Sequence, residues 1–147
     1  TSFNQGPQLD PGINIEELPA VVILDDGVDL PDGLSNIVPV HWMATGVKKT
    51  PIFGGHGTPV ASRTAFTELG MHIGDPYLTP RAKIIDAAII DTGKTPGNIV
   101  LRRIQEAVAT FAPVAKIFNF SYKTMRANSN PFTIGIPGRR STDDSVT

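Results

Sequence analysis

Asp25 follows five apolar residues, Ala20-Val21-Val22-Ile23-Leu24, and precedes Asp26 and Gly27. A short continuous apolar run reads as a strand covered on both faces. In parallel α/β sheets functional groups gather beyond the carboxyl ends of such strands. An acid placed there can accept the Nδ1–H of an imidazole and stabilise the imidazolium. His56 supplies an imidazole, within Gly54-Gly55-His56-Gly57-Thr58-Pro59-Val60-Ala61. The glycines allow backbone or a ligand to approach closely. Pro59 suits the first turn of a helix, so His56 stands at a helix entrance, held by structure and open to solvent. That position suits a general base. Taken singly, Asp25 reads better as an acid that starts a turn, and His56 as a surface histidine in a Gly-rich loop. It is the pair that points to chemistry.

The elements that must position the pair are legible around it. Residues 82–90 read AKIIDAAII and residues 116–121 read KIFNFS, two further runs of buried-strand type. A fourth, weaker strand is IVPVHWM at 37–43, where Pro39 points to a sheet edge. After Gly57, the residues Ala61, Ala65 and Leu69 share one helical face, with Thr58 as the expected cap and Gly70 as the expected stop. From Asn98, the set Ile104, Ala107, Val108 and Phe111 has amphipathic helical spacing, and Pro113 prevents a clean continuation. Strands alternating with helices predict a mainly parallel α/β sheet. Residues 125–140 are rich in Asn, Pro and Gly and read as a long loop.

Composition excludes several classes of function. The 147 residues carry 13 basic and 14 acidic side chains, a balance that points to no nucleic-acid partner. There is no Cys, so no disulfide and no Cys-ligated zinc. No apolar run approaches membrane-spanning length. The first residues, TSFNQGPQLDPG, have neither the basic segment nor the apolar stretch of a signal peptide. Near the other end, Ser141-Thr142-Asp143-Asp144 has the makings of a helix start, although a polar tail would read the same. A helix starting there would be cut short at Thr147, which suggests a chain that ends inside a domain.

Together the motifs resemble those of the subtilisin-like serine proteases, the subtilase family. The strand ending in Asp, acidic or small residue, Gly is VVILDDGVD here, residues 21–29. The family's His-Gly-Thr-x-Val-Ala is HGTPVA, residues 56–61, and Asp25 and His56 lie 31 positions apart, a typical separation. A strand ending in Asn-x-Ser is FNFSYKT, residues 118–124. The resemblance covers roughly residues 20–124. It implies a three-layer α/β/α fold with a mainly parallel sheet, here truncated. Residues 1–19 would be an N-terminal extension, and 20–147 part of the catalytic domain. It implies a serine endopeptidase with the chain order Asp, His, Ser, in which Asp25 orients His56. The residues after the third strand, Ser121 and Tyr122, would line the substrate cleft. It also implies a left-handed crossover around the helix that carries His56.

Asp25-Asp26-Gly27 is closer to the Asp-Asp-Gly of the kexin and furin branch, where the second acid faces the substrate. On that pattern Asp26 would bind a basic residue two before the cut, the alternative being an acid that supports its own turn or Asp25. The sequence departs from the family in three respects. Pro59 stands where many members have His. The Cys that the kexin branch carries after its catalytic His is not present. None of the seven serines, Ser2, Ser35, Ser62, Ser121, Ser129, Ser141 and Ser145, follows Gly-Thr, so the family's nucleophile motif is not in this chain.

The implied partners are therefore a peptide or protein substrate, and either the missing C-terminal half of the domain or another chain at the exposed sheet edge. No cofactor is identifiable, and calcium enters through the family resemblance alone. The rival within the same fold is an inactive peptide-binding module. A metal-dependent hydrolase could draw on Asp25, Asp26, His41, His56 and His72, but no local ligand spacing supports it. A nucleotide-binding domain would need a Gly-rich phosphate motif that the chain lacks.

Overall fold

The computed structural model describes residues 6–49, 53–66, 77–91, 95–121 and 132–135. Its strands are β1 (Gln8–Leu9), β2 (Ala20–Asp25), β3 (Val40–Met43), β4 (Tyr77–Leu78), β5 (Lys83–Ala88), β6 (Ile117–Phe120) and β7 (Phe132–Gly135). Its helices are α1 (Gly57–Ala65), between β3 and β4, and α2 (Gly97–Phe111), between β5 and β6. The five-stranded sheet has the order β3-β5-β2-β6-β7. Its first four strands are mutually parallel, and β7 runs antiparallel to β6. The short strands β1 and β4 pair separately.

The apolar runs of β2 and β5 are strands covered on both faces, whereas β6 buries Phe118 and Phe120 and leaves Ile117 exposed. Val22 and Leu24 of β2, with Ile85 and Ala87 of β5 and Phe118 and Phe120 of β6, pack against Ile104, Ala107, Val108 and Phe111 of α2. Val21 and Ile23, with Ile84, face the other way, towards Val60, Ala61 and Ala65 of α1. The alternation of side chains along each strand divides one sheet between two cores. The result is a three-layer α/β/α arrangement. Trp42, half-buried, meets the ring of Phe111 edge-on. The strand expected over 37–43 begins only at Val40, after Pro39, and it lies at the sheet edge.

The connections between the parallel strands differ in hand. From β2 to β3 the chain moves two places across the sheet, burying Val28, Leu30, Leu34 and Ile37 on the α1 face. From β3 to β5 it moves one place back, with α1 on that same face. From β5 to β6 it moves two places further in the same direction, with α2 on the opposite face. Reversing either direction or face reverses the hand. The first and third crossovers therefore share one hand and the α1 crossover has the other.

One expectation changes on contact with the structure. Within the stretch 125–140, residues 132–135 form β7 instead of loop. In the expected N-terminal extension, Leu9 and Ile15 pack against the α1-side core, and the Lys83 ammonium donates to the Glu16 carbonyl at 2.9 Å. The helix through Ala61 and Ala65 is described as far as Ala65, and Leu69 and Gly70 lie outside the described residues. So do His72 and residues 141–147.

Candidate active site

Asp25 is the last residue of β2, and its side chain is fully buried on the α1 face. Its Oδ1 accepts the Asp26 backbone N–H at 2.8 Å. His56 immediately precedes α1, and its Nδ1 lies 3.0 Å from Asp25 Oδ1 and 2.9 Å from Oδ2. The fold thus brings together two residues 31 positions apart in the chain. With Nδ1 turned to the carboxylate, Nε2 lies on the far side of a ring that is 43% exposed. That is the orientation in which a carboxylate fixes the imidazole tautomer.

Burial pushes the Asp25 carboxyl up to about 6. The Asp26 N–H and the His56 imidazole pull it back down, and the charge of Asp26 adds a smaller upward push.

Close approach explains the glycines. A Cβ on Gly57 would fall on the Gly27 carbonyl oxygen and 3.0 Å from the Asp25 Cβ, so the first turn of α1 can rest on the end of β2 only with Gly at 57. Gly27 has φ +111°, a conformation that favours Gly, and the Phe53 ring occupies the space a side chain would need.

The other sequence-predicted residues separate. Thr58 does not cap α1: its hydroxyl accepts the Asp29 N–H at 2.8 Å. Asp26, expected either to face a peptide or to support the turn, is 7% exposed. Its Oδ1 accepts the Gly57 N–H at 2.8 Å, and both oxygens lie 3.2 Å from the His56 backbone nitrogen. The Asp26 carboxylate thus accepts from backbone donors at the start of α1. Ser121 follows β6, and its Oγ is buried without a hydrogen-bond partner among the described residues. It lines a groove of about 570 Å³ with Val60 and Thr64 of α1, Val21 of β2 and Asn119 of β6. Tyr122 lies outside the described residues.

A second histidine–carboxylate pair was not legible in the sequence. His41 Nδ1 lies 2.7 Å from Oδ2 of Asp86, which is 1% exposed. The one available signal was an acid inside the apolar run AKIIDAAII. Burial pushes the Asp86 carboxyl up, and His41 pulls it back. Among the described residues no three His, Cys, Asp or Glu side chains gather to hold a metal ion. No helix among them is long and apolar enough to cross a membrane. In comparisons with known protein families, characterised proteins and solved structures, the chain matches none.

Proposed function

We propose that this chain supplies the Asp and His of a subtilisin-type serine endopeptidase whose nucleophile lies outside residues 1–147. The observation that carries the reading is the buried Asp25 carboxylate on His56 Nδ1 at a strand end, with the ring exposed. A crossover around the His-bearing helix that differs in hand from its two neighbours is in keeping with the same resemblance.

In the proposed reaction His56 Nε2 takes the hydroxyl proton as the serine oxygen bonds to the scissile carbonyl carbon. The imidazolium, held by Asp25, returns that proton to the amine nitrogen as the C–N bond breaks. A water then gives its proton to Nε2 and attacks the acyl ester. The C–O bond to serine breaks, the serine recovers the proton, and the peptide acid leaves. Ser121 is proposed as part of the substrate groove beside α1, with Tyr122 following it in the chain. The substrate is a peptide or protein.

The test is peptide hydrolysis by the natural, full-length protein beside its His56→Ala variant. The reading expects hydrolysis that is lost in the variant by about 10⁴-fold or more. Hydrolysis that survives His56→Ala contradicts it. Peptide binding without hydrolysis would identify the inactive peptide-binding module instead.

A further inference from the structure

We propose that Asp26 is a positioning residue for His56, fixing the backbone of the residue whose ring Asp25 orients; this rests on reading Asp25–His56 as a working dyad. The first N–H groups of any helix have no partners within the helix. In α1 no side chain of its own first turn meets that need, since the N-cap position is His56 itself and makes no side-chain capping bond. The Thr58 hydroxyl is engaged with Asp29. Asp26 meets the need from another element, accepting the His56 and Gly57 N–H groups. A carboxylate is the favourable group there, because the helix N-terminus carries partial positive charge.

The linkage is close-coupled. Asp26 is bonded directly to Asp25, and it follows the end of β2. Its carbonyl also accepts the Gly54 N–H at 3.0 Å, two residues before His56. Consecutive residues therefore grip one histidine at both ends: Asp25 holds the ring, and Asp26 holds the main chain on either side of it. The ring's position relative to β2 is set by the strand end instead of by the loop that leads into α1. Since misplacement of a reacting group by about 1 Å can lower a rate by about 10²-fold, such a grip bears directly on turnover.

The test reads the imidazole directly. In the natural full-length protein, the His56 Nδ1 proton bonded to Asp25 should give a far-downfield NMR resonance, assigned by its absence in His56→Ala. Asp26→Asn keeps an acceptor oxygen for the Gly57 N–H and should retain that resonance. Asp26→Ala should broaden or lose it while Asp25 remains in place. Asp26→Ser, with a short acceptor, covers the case in which the Ala variant does not fold. In the hydrolysis assay, kcat per titrated active site should fall about 10²-fold in Asp26→Ala and be partly rescued in Asp26→Asn, with KM little changed. The ratio of kcat/KM for basic over neutral residues two before the cut should stay within twofold. A resonance and kcat untouched by Asp26→Ala would overturn the proposal. So would a KM that rises tenfold only for the basic substrate at constant kcat, which would make Asp26 a substrate contact. If the natural protein hydrolyses nothing, the resonance still decides the positioning role, and the failure belongs to the endopeptidase reading alone.

Discussion

The two histidine–carboxylate pairs look alike at close range and differ in how the fold makes them. Asp25 and Asp86 are both buried, both on the α1 face of the sheet, and both meet an Nδ1 within 3.0 Å. His41 and Asp86, however, are direct cross-strand partners on β3 and β5. Sheet register alone sets them side by side, in the body of strands. Asp25 and His56 come from a strand end and a helix start, and meet because Gly57 lets the helix press on Gly27 while Asp26 anchors it. The exposed imidazole of His41 stands on an edge strand, and that of His56 beyond the carboxyl ends of the parallel strands, where ligands bind in such sheets. Short distance and a buried acid do not distinguish a site from a structural pair. Placement does.

Replacing each acid by its amide should separate the pairs most sharply. Asp25→Asn should lower kcat of the natural protein by about 10⁴-fold, since the amide favours the wrong imidazole tautomer. Asp86→Asn should leave kcat within about tenfold. Equal losses would erase the distinction. The rate should also fall as the pH drops below about 6, where the Asp25–His56 pair takes up a proton. Stability should move the opposite way at Asp25. Its folded pKa lies above the unfolded value of 3.8, so its contribution is full below 3.8 and is lost as pH rises through about 6. Urea unfolding should therefore show Asp25→Asn gaining on the native protein between pH 4 and pH 7.

Gly57→Ala tests the close approach that only the first site needs. The added methyl meets backbone, which cannot swing away, so unfolding should be easier by about 3 kcal/mol. The His56 Nδ1 proton signal should vanish, while that of His41 persists.

At the second pair, His41→Phe should remove the partner of a buried carboxylate. The expected loss is about 2 kcal/mol at pH 8 by urea unfolding. The sign follows from the raised pKa of Asp86: its contribution is full below the unfolded value and is lost as pH rises through the folded one. Without His41 the carboxyl rises further, so the loss should shrink towards acid pH. Asp86→Asn should change stability by less than about 1 kcal/mol at neutral pH and flatten its pH dependence.

The same contrast marks how far the residues spoke for themselves. The runs at 20–24 and 82–90 are strands because continuous apolar sequence has one economical fate, a sheet covered on both faces. The α2 face from Ile104 to Phe111 follows directly from its spacing. Asp25 and His56 were legible as a pair through the resemblance carried by VVILDDGVD and HGTPVA together, since an element boundary alone favours neither as a site. The cap of α1 was not, because the capping oxygen comes from Asp26, 31 positions before Gly57, and local rules could see only Thr58. The His41–Asp86 pair depends on the register between β3 and β5, which periodicity leaves undetermined. Strand β7 is four residues in a segment dominated by Asn, Pro and Gly, and pairing with β6 overrides that composition.

The central claim, that His56 with Asp25 activates a serine nucleophile, is tested most directly by treating the natural full-length protein with a fluorophosphonate and mapping the adduct by mass spectrometry. The account predicts one labelled serine outside residues 1–147, with labelling abolished by His56→Ala and unaffected by His41→Phe. A folded protein that takes no label, or one whose labelling is indifferent to His56→Ala, would contradict it.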